Sequence, residues 1–399
     1  MSKDAIDAVA VALEKQLGSA LKALYRFGSY GSSYYLSGYS DINLLAVVAD
    51  TSCIHDVRAA FLPLWPQHKD VLRRAPLIAD EAALQRHLQL YPLFAHHLAT
   101  SGRLLLGDAP LLPAVAPPHE SERLAYLARE NIEASAALVP SLLPRPAAAA
   151  AYRRLHRLAR QLYEQPLPVD MPAQALYAHV QARLQPQFNG APGAVQERLV
   201  DSRRQPNLLA IYEETDHVVM VIPSLAPELL REIEWQLLSE RLEQRATFLQ
   251  VATMSQLRLS IQCQAPLGFA LGRYRRQWGK DPLARVTVAA WAVLREAARI
   301  PASLLVDEIP NAYLTSADED TLHAVIHDYQ NRLLNLGLQH ELLHRLHGVA
   351  DAEPPEQLPG RSQPLPVRVE AILNQLGWWS AHYMAEMART PDNLAMLPE

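Results

Sequence analysis

The chain has 399 residues, with 37 Lys and Arg against 42 Asp and Glu and a formal net charge of −5 at pH 7. This length allows two or three domains of ordinary size, and 49% hydrophobic with 20% charged residues excludes wholesale disorder. The slightly acidic balance argues against a general affinity for nucleic acids or anionic membranes. Cys53 and Cys263 are the only cysteines, which excludes a disulfide framework and a cysteine-rich zinc site.

The N-terminal segment gives no sign of export. Residues 1–18 alternate charged with apolar side chains and contain no signal-peptide core. The chain has no run of the roughly 18 unbroken apolar residues that a membrane span needs. We therefore expect a soluble, cytoplasmic protein with no membrane partner.

The first 110 residues alternate helical and β-like patterns, which is typical of an α/β unit. Apolar side chains recur at spacings of three and four over residues 7–25, which predicts an amphipathic first helix. Strands are predicted at 24–27, 41–48, 70–78 and 104–106. Further helices are predicted at 55–62 and 81–101, the second with a boundary or kink at Pro92.

The rest of the chain is helical at first and then returns to a mixed pattern. Residues 120–184 are helical in composition, and the Pro-, Gly- and charge-rich stretch 186–206 predicts a linker. Beyond the linker, strands are predicted at 208–212, 217–222 and 248–252, a helix at 227–245, and further helix up to Gly279.

Two pairs of segments indicate an internal repeat. Residues 77–111 align with residues 250–283, because each contains a Pro-Leu pair ahead of a helix and closes on Gly-x-x-Pro. The alternative is a chance recurrence of such pairs in a chain rich in Leu and Pro. Upstream, the alignment pairs Asp41 with Asp216 and Asn43 with Val218.

The densest chemical signal is a glycine-serine corner followed by a polar strand. Gly28 and Ser29 end a β-like run, and a glycine there lets a phosphate approach the backbone closely. Asp41 and Asn43 lie two apart on the next strand, so both side chains share a face while Ile42 points into the core. Two oxygen-bearing side chains facing a phosphate cradle can hold Mg²⁺. The alternative is an ordinary glycine turn that leads into a strand.

This motif, Gly-Ser followed about a dozen residues later by Ser40-Asp41-Ile42-Asn43, resembles the nucleotidyltransferase superfamily related to DNA polymerase β. That superfamily includes the aminoglycoside and the small minimal nucleotidyltransferases. The resemblance implies an α+β fold, a small mixed sheet backed by helices and followed by a helical bundle. With the repeat, we expect this pair twice in a helix-dominated chain. The implied reaction is Mg²⁺-dependent transfer of a nucleotidyl group from a nucleoside triphosphate to an unknown hydroxyl acceptor.

Roles carry over from the resemblance residue by residue. Gly28, Ser29 and Ser40 would bind the nucleotide, Asp41 would be the first metal ligand, and Asn43 would stand where the family has a second carboxylate. An amide supplies neither the negative charge nor the bidentate binding of a carboxylate. The best candidate for the third acid, which would also serve as the base, is Asp70. These departures favour the alternative of a catalytically inactive module that binds nucleotide or another protein.

The resemblance and the repeat together predict five segments. They are a nucleotidyltransferase-like domain over 1–112, a helical domain over 113–185, a linker over 186–206, a degenerate second nucleotidyltransferase-like domain over 207–285 and a C-terminal helical domain over 286–399.

Two other constellations compete with this interpretation. His340-Glu341-Leu342-Leu343-His344 has the spacing of a zinc metalloprotease helix, which makes zinc-dependent proteolysis a distant alternative. Arg153, Arg157 and Arg160 share one helical face. They could grip an anionic substrate, or they could be solvated and paired with Glu on neighbouring helices.

Overall fold

The computed structural model describes most of the chain. It covers residues 2–30, 35, 41–107, 118, 120–138, 140, 143, 145–165, 167–189, 208–214, 217–223, 248–254, 256–257, 260–261, 272–279, 283, 288–354 and 357–390. Ser40, the helix predicted at 227–245 and nearly all of the predicted linker lie outside these residues.

The helices and strands follow one another in a mixed order. The α-helices are α1 Ser2–Leu17, α2 Ile54–Phe61, α3 Trp65–Leu72, α4 Glu81–Leu90, α5 Pro92–Ser101, α6 Glu120–Ser135, α7 Arg145–Tyr163, α8 Ala173–Asn189, α9 Ala290–Ser303, α10 Ile309–Thr315, α11 Glu319–His347 and α12 Leu365–Arg389. The strands are β1 Leu21–Phe27, β2 Asn43–Val48, β3 Leu77–Asp80, β4 Arg103–Leu106, β5 Ala210–Glu214, β6 His217–Ile222, β7 Phe248–Thr253 and β8 Arg275–Gly279.

Packing divides the chain into two compact units. Unit 1 joins residues 1–118 to residues 294–391, and unit 2 joins residues 119–293 to residues 392–399. The first sheet therefore shares a unit with helices from the far end of the chain, and the second sheet shares one with α6, α7 and α8. The predicted fold class is confirmed: small mixed sheets are backed by helices in a helix-dominated chain. Within the described residues, no helix is both long and apolar enough to span a bilayer.

The sheet of unit 1 has the order β3-β2-β1-β4. Strand β1 is antiparallel to both of its neighbours, and β2 runs parallel to β3. The predicted first helix is too long, because α1 stops at Leu17 and Gly18 adopts a left-handed φ of +51°. The central strand β1 is largely buried, so its apolar residues fit a helical period as well as a strand.

The predicted strand at 70–78 is wrong over most of its length. Residues up to Leu72 belong to α3, which has a proline in its first turn, where the missing N–H costs nothing. Only Leu77–Asp80 pairs as a strand, beginning directly after Pro76, which cannot donate to the sheet. Asp70 therefore lies on a helix.

The C-terminal helices of unit 1 bind its N-terminal segment through polar contacts. The Nε2 atom of His55 lies 2.9 Å from a Glu370 carboxylate oxygen, and its Nδ1 atom lies 2.9 Å from the Tyr313 hydroxyl. Arg58 donates to the carbonyl oxygen of Ser316 over 2.8 Å and places its guanidinium over the Tyr313 ring. These contacts join α2 to α10 and α12.

The sheet of unit 2 repeats the order and directions of the first sheet, as β7-β6-β5-β8. The register pairs Phe27 with Asn43 in unit 1 and Glu214 with His217 in unit 2. His217 therefore occupies the place of Asn43, and the sequence alignment of Asn43 with Val218 is wrong by one residue. The helix predicted up to Gly279 is also wrong, because the last five residues form the edge strand β8.

The helices of unit 2 pack on their sheet through an apolar core. Leu124 and Leu155 belong to the same buried cluster as Ile211 and Met220 of the sheet. The Ser135 hydroxyl ties α6 to β7 by donating to the Val251 carbonyl oxygen over 2.9 Å.

One arginine of the predicted stripe on α7, Arg157, is paired with a glutamate of a neighbouring helix. Arg157 lies 2.9 Å from Glu130, and Arg154 forms an ion pair with Glu133. Both carboxylates belong to α6, so Arg157 adopts the pairing with neighbouring glutamates that the sequence left open, and Arg154, which lies beside the predicted stripe, does the same.

Glycine is required where each sheet ends. Gly107 follows β4 with φ +106°, and a Cβ atom there would press on the Lys22 carbonyl oxygen and lie 3.0 Å from the Ala23 Cα. Gly279 ends β8 with φ +81°, and a Cβ atom there would press in the same way on the Leu209 carbonyl oxygen and the Ala210 Cα. Only glycine allows the chain to pass this close to the neighbouring strand.

We predict that Gly107→Ala lowers the free energy of unfolding by about 2 kcal/mol or more, because it adds a backbone clash to a left-handed φ. The matched control is Gly337→Ala in α11, where a new Cβ has no neighbour within 4 Å. That substitution should stabilise the protein by up to about 1 kcal/mol, because alanine is the better helix former. Urea unfolding of both variants measures the difference, and equal effects would contradict the assigned strain.

A buried histidine links acid stability to unit 1. The His87 ring packs against Tyr91 and Phe94, with centroid distances of 4.5 and 5.2 Å. Burial, reinforced by the positive charge of Arg299, lowers the pKa of His87 from 6.5 to about 4. The unfolded chain therefore takes up this proton first on acidification. The stability that depends on a neutral, buried His87 is therefore complete above pH 6.5 and is lost as the pH falls toward 4.

The free energy of unfolding of the wild-type protein should fall between pH 7 and pH 5, in part because of His87. We predict that this fall is smaller by about 2 kcal/mol in His87→Leu. Chemical unfolding at a series of pH values measures this slope. His68→Leu, at a half-buried position of α3 in the same unit, is the control. The assignment fails if His87→Leu keeps the wild-type slope.

Candidate functional site

The candidate site begins where β1 ends. Phe27 is the last residue of the strand and pairs with Asn43, the first residue of β2. The next residue, Gly28, has a left-handed φ of +88°, which turns the chain sharply away from the sheet. Consecutive backbone N–H groups at such a turn can form a concave anion site.

Gly28 and Asn43 are in direct contact. A Cβ atom on Gly28 would lie 2.7 Å from Asn43 Nδ2 and 3.8 Å from Asn43 Cβ. The amide side chain therefore occupies the space that any other residue at position 28 would need. The sequence prediction placed these two residues on one phosphate-facing surface, and the structure brings them together.

Asp41 lies at the entrance to β2. It precedes the strand by two residues and is half-buried, as is Asn43. Between them, Ile42 is buried, and its N–H donates to the Val71 carbonyl oxygen over 3.2 Å. This hydrogen bond fixes the backbone next to Asp41, and with it the point where the Asp41 side chain is attached.

The third acid that the resemblance implies is not found beside Asn43, because the only acid of the neighbouring strand β3, Asp80, pairs with Val48 at the other end of β2. Parallel pairing of Leu45 with Leu77 sets Ala75 beside Asn43 when it is extended by two residues. Ala75 is buried, and its N–H donates to the Asn311 side-chain oxygen over 2.9 Å. A small apolar residue therefore stands where a carboxylate would complete the site.

The carboxylates nearby serve other purposes or face solvent. Asp70 is exposed on α3, one residue before the Val71 carbonyl that binds the Ile42 backbone. Asp80 caps α4 by accepting a hydrogen bond from the Ala83 N–H over 2.7 Å. Throughout the part of the chain that the structure describes, no three Asp, Glu, His or Cys side chains come together as a metal site.

The donor set does not fit a two-metal centre. Asp41 is the only carboxylate of the predicted pair, and the Asn43 atom nearest the glycine corner is the amide nitrogen, which does not coordinate a cation. These residues fit at most one Mg²⁺ that arrives already bound to phosphates and is completed by Asp41.

Two side chains beside the corner were missed by the sequence analysis. The Arg26 guanidinium lies 4.7 Å from the centroid of the Tyr30 ring, and Tyr30 meets Tyr35 edge to face at 5.0 Å. The signal was available in the tyrosine-rich loop that directly follows an arginine on a strand. Ser29, which precedes Tyr30 in the sequence, is half-buried. Ser40 lies outside the described residues.

The metalloprotease pattern on α11 does not form a zinc site. His340 is only 2% exposed, and its Nδ1 atom lies 3.3 Å from the Tyr383 hydroxyl. His344 places Nδ1 2.7 Å from the Val349 carbonyl oxygen at the end of the helix. Glu341 faces solvent and pairs with Arg345. The two histidines are parts of a helix-packing contact and a helix end, and no third ligand joins them within the described residues.

Comparison with known proteins adds little. No family model and no curated protein matches the chain. Among solved structures, the chain is similar to the spectinomycin adenyltransferase AAD(9) from Enterococcus faecialis, solved with ATP and spectinomycin. The identity is 12% and the TM-score 0.27, with 60% of this chain and 99% of that chain covered. A TM-score this low does not establish a common fold, so the site is interpreted from its own residues.

We predict that Gly28→Ala destabilises the protein by roughly 1–3 kcal/mol through its left-handed φ and its clash with Asn43. In an Asn43→Ala background the clash disappears and only the cost of the backbone conformation remains. A double-mutant cycle by urea unfolding should therefore show that Gly28→Ala costs less in that background. Strict additivity would contradict the contact.

Proposed function

We propose that the N-terminal sheet of unit 1 binds a nucleoside triphosphate, with the phosphates at the Gly28–Ser29 corner. The contact between Gly28 and Asn43 is the observation that carries this proposal. It supports a common cavity edge made from a left-handed backbone turn and the polar end of β2. Backbone N–H groups and an amide NH₂ are donors that suit phosphate oxygens.

Asp41 would complete the binding of a Mg²⁺ ion carried by the triphosphate. Bound there, the ion would neutralise phosphate charge that a single carboxylate would otherwise repel. The chain's own residues would then hold the nucleotide from two sides, through the turn after β1 and through the start of β2.

Binding without chemistry is the function that this donor set supports best. Asn43 supplies no charge, and Ala75 stands beside it where a third acid would be needed. The residues therefore favour a nucleotide-binding module derived from the nucleotidyltransferase design over an active transferase.

Nucleotidyl transfer is the second candidate, favoured by the preserved spacing from Gly28 to Asp41. In that reaction the acceptor oxygen bonds to the α-phosphorus, the bond to the β-phosphate bridge breaks, and pyrophosphate leaves. The hydroxyl proton must pass to a base, for which Asp70 is proposed. Its exposed position on α3, one residue from the Ile42 contact, leaves it open to solvent.

The second sheet is proposed to be a degenerate copy that has lost this site. Its identical strand order and directions support a duplication. Thr253 at the end of β7 accepts from the Gln256 N–H over 3.3 Å, as Asp80 at the end of β3 accepts from the Ala83 N–H. His217 replaces Asn43 by register, and the chain after Glu214 has no Gly-Ser corner.

We predict that Asp41→Ala weakens Mg²⁺-dependent binding of labelled ATP by about tenfold or more, because it removes a charged ligand. Equilibrium dialysis with and without Mg²⁺ measures the effect. Asp170→Ala, which removes an exposed carboxylate in unit 2, should leave binding unchanged. Binding that is insensitive to Asp41→Ala would overturn the proposed site.

Asn43→Asp separates binding from transfer. The substitution restores the missing charge, so pyrophosphate release over a panel of hydroxyl acceptors should rise if the rest of the cleft is competent. Unchanged release with intact ATP binding supports the binding module. Pyrophosphate release by the wild-type chain would instead establish the transferase.

A further inference from the structure

Two arginines face each other across the strands β1 and β4. Arg26 pairs with Arg103 in the antiparallel register, so the two side chains leave the same face of the sheet with Cβ atoms about 5 Å apart. Arg26 is half-buried, and Arg103 is exposed on the edge strand. Like charges directly opposite one another destabilise a sheet unless an anion comes between them.

Neither arginine forms an ion pair with a carboxylate among the residues that the structure describes. This distinguishes them from Arg154 and Arg157, whose charges are met by glutamates on α6. The positive charge of the Arg26–Arg103 pair is therefore unbalanced within the described part of unit 1.

The Tyr30 ring fixes the orientation of one of the two guanidinium groups. It covers a face of the Arg26 guanidinium at 4.7 Å and is itself supported edge to face by Tyr35. Stacking uses the flat face of a guanidinium and leaves its edge N–H groups free to donate in the plane. Planar donors that are held in place in this way suit the tetrahedral oxygens of a phosphate group.

The pair lies on the opposite face of β1 from the glycine corner. Side chains alternate along a strand, so Arg26 points away from the face that Phe27 shares with Asn43. A ligand at the two arginines would therefore contact a different surface from a nucleotide at Gly28. Among the described residues, the turn from Gly28 to Tyr30 connects the two sites.

We propose that Arg26 and Arg103 form a second anion subsite, which takes a phosphate group and does not require Mg²⁺. A phosphate dianion between the two guanidinium groups would replace their repulsion by charge-assisted hydrogen bonds from both strands. The subsite does not depend on the proposed nucleotide site.

The test is thermal unfolding of the full chain with inorganic phosphate or tripolyphosphate in the absence of Mg²⁺, against sodium chloride at matched ionic strength. A ligand that binds only the folded state raises the melting temperature as its concentration increases. Arg103→Gln should weaken phosphate binding by about tenfold, and Arg103→Lys should restore it only in part. Because Arg103 is exposed on an edge strand, its replacement should not prevent folding.

Lys22→Gln is the matched control, because Lys22 is an exposed cation on β1, the strand that carries Arg26, and its ammonium donates to the Ser19 carbonyl oxygen. An equal loss in Lys22→Gln, or a rise in melting temperature no larger than that in chloride, would overturn the subsite. Arg103→Gln should also raise the melting temperature of the phosphate-free protein by relieving repulsion. A lowered value would mean that Arg103 has a structural role instead.

Asp41→Ala distinguishes this subsite from the nucleotide site. That variant should keep its response to phosphate while losing Mg²⁺-dependent ATP binding. Loss of both the phosphate response and the ATP binding would indicate a single site and would contradict an independent subsite.

Discussion

The close approach of Gly28 to Asn43 is the constraint on which the candidate site depends. A side chain at position 28 would collide with the amide, and the left-handed backbone there would strain any other residue. The same turn carries the chain from β1 to Tyr30, whose ring then covers Arg26. One backbone conformation thus sets both the phosphate-facing corner and the cationic surface on the other side of the strand.

The surroundings of this corner are the basis for proposing nucleotide binding without catalysis. Ile42 is fixed by the Val71 carbonyl, so Asp41 is held at the start of β2 as a transferase would require. Asn43, however, supplies an amide in place of a charged group, and Ala75, two residues before β3, supplies no charge. In the proposed function, the corner and Asp41 would hold a nucleotide, while the charge available to concentrate two cations is a single carboxylate.

The elements marked by a local signal could be predicted from the sequence, and their long-range arrangement could not. Strand β2 and the break between α4 and α5 at Pro92 follow from a β-like run and a proline. Strand β1 was partly assigned to a helix because burial on both faces removes the alternation that marks a strand. Asp70 was misplaced for a related reason, since the residues before Pro76 carry no pattern that separates α3 from a strand. Apolar periodicity shows that a helix has a buried face but does not identify the sheet that covers it.

Unit 1 is assembled from the two ends of the chain, with residues 119–293 between its parts. During synthesis, the first sheet leaves the ribosome long before α10 and α12, which supply the partners of His55. Part of unit 1 therefore remains uncovered until residues 294–391 have been synthesised. By then the described strands and helices of unit 2 have already been made. The order of translation therefore favours a nascent chain in which unit 2 folds first and unit 1, which carries the candidate site, is completed last.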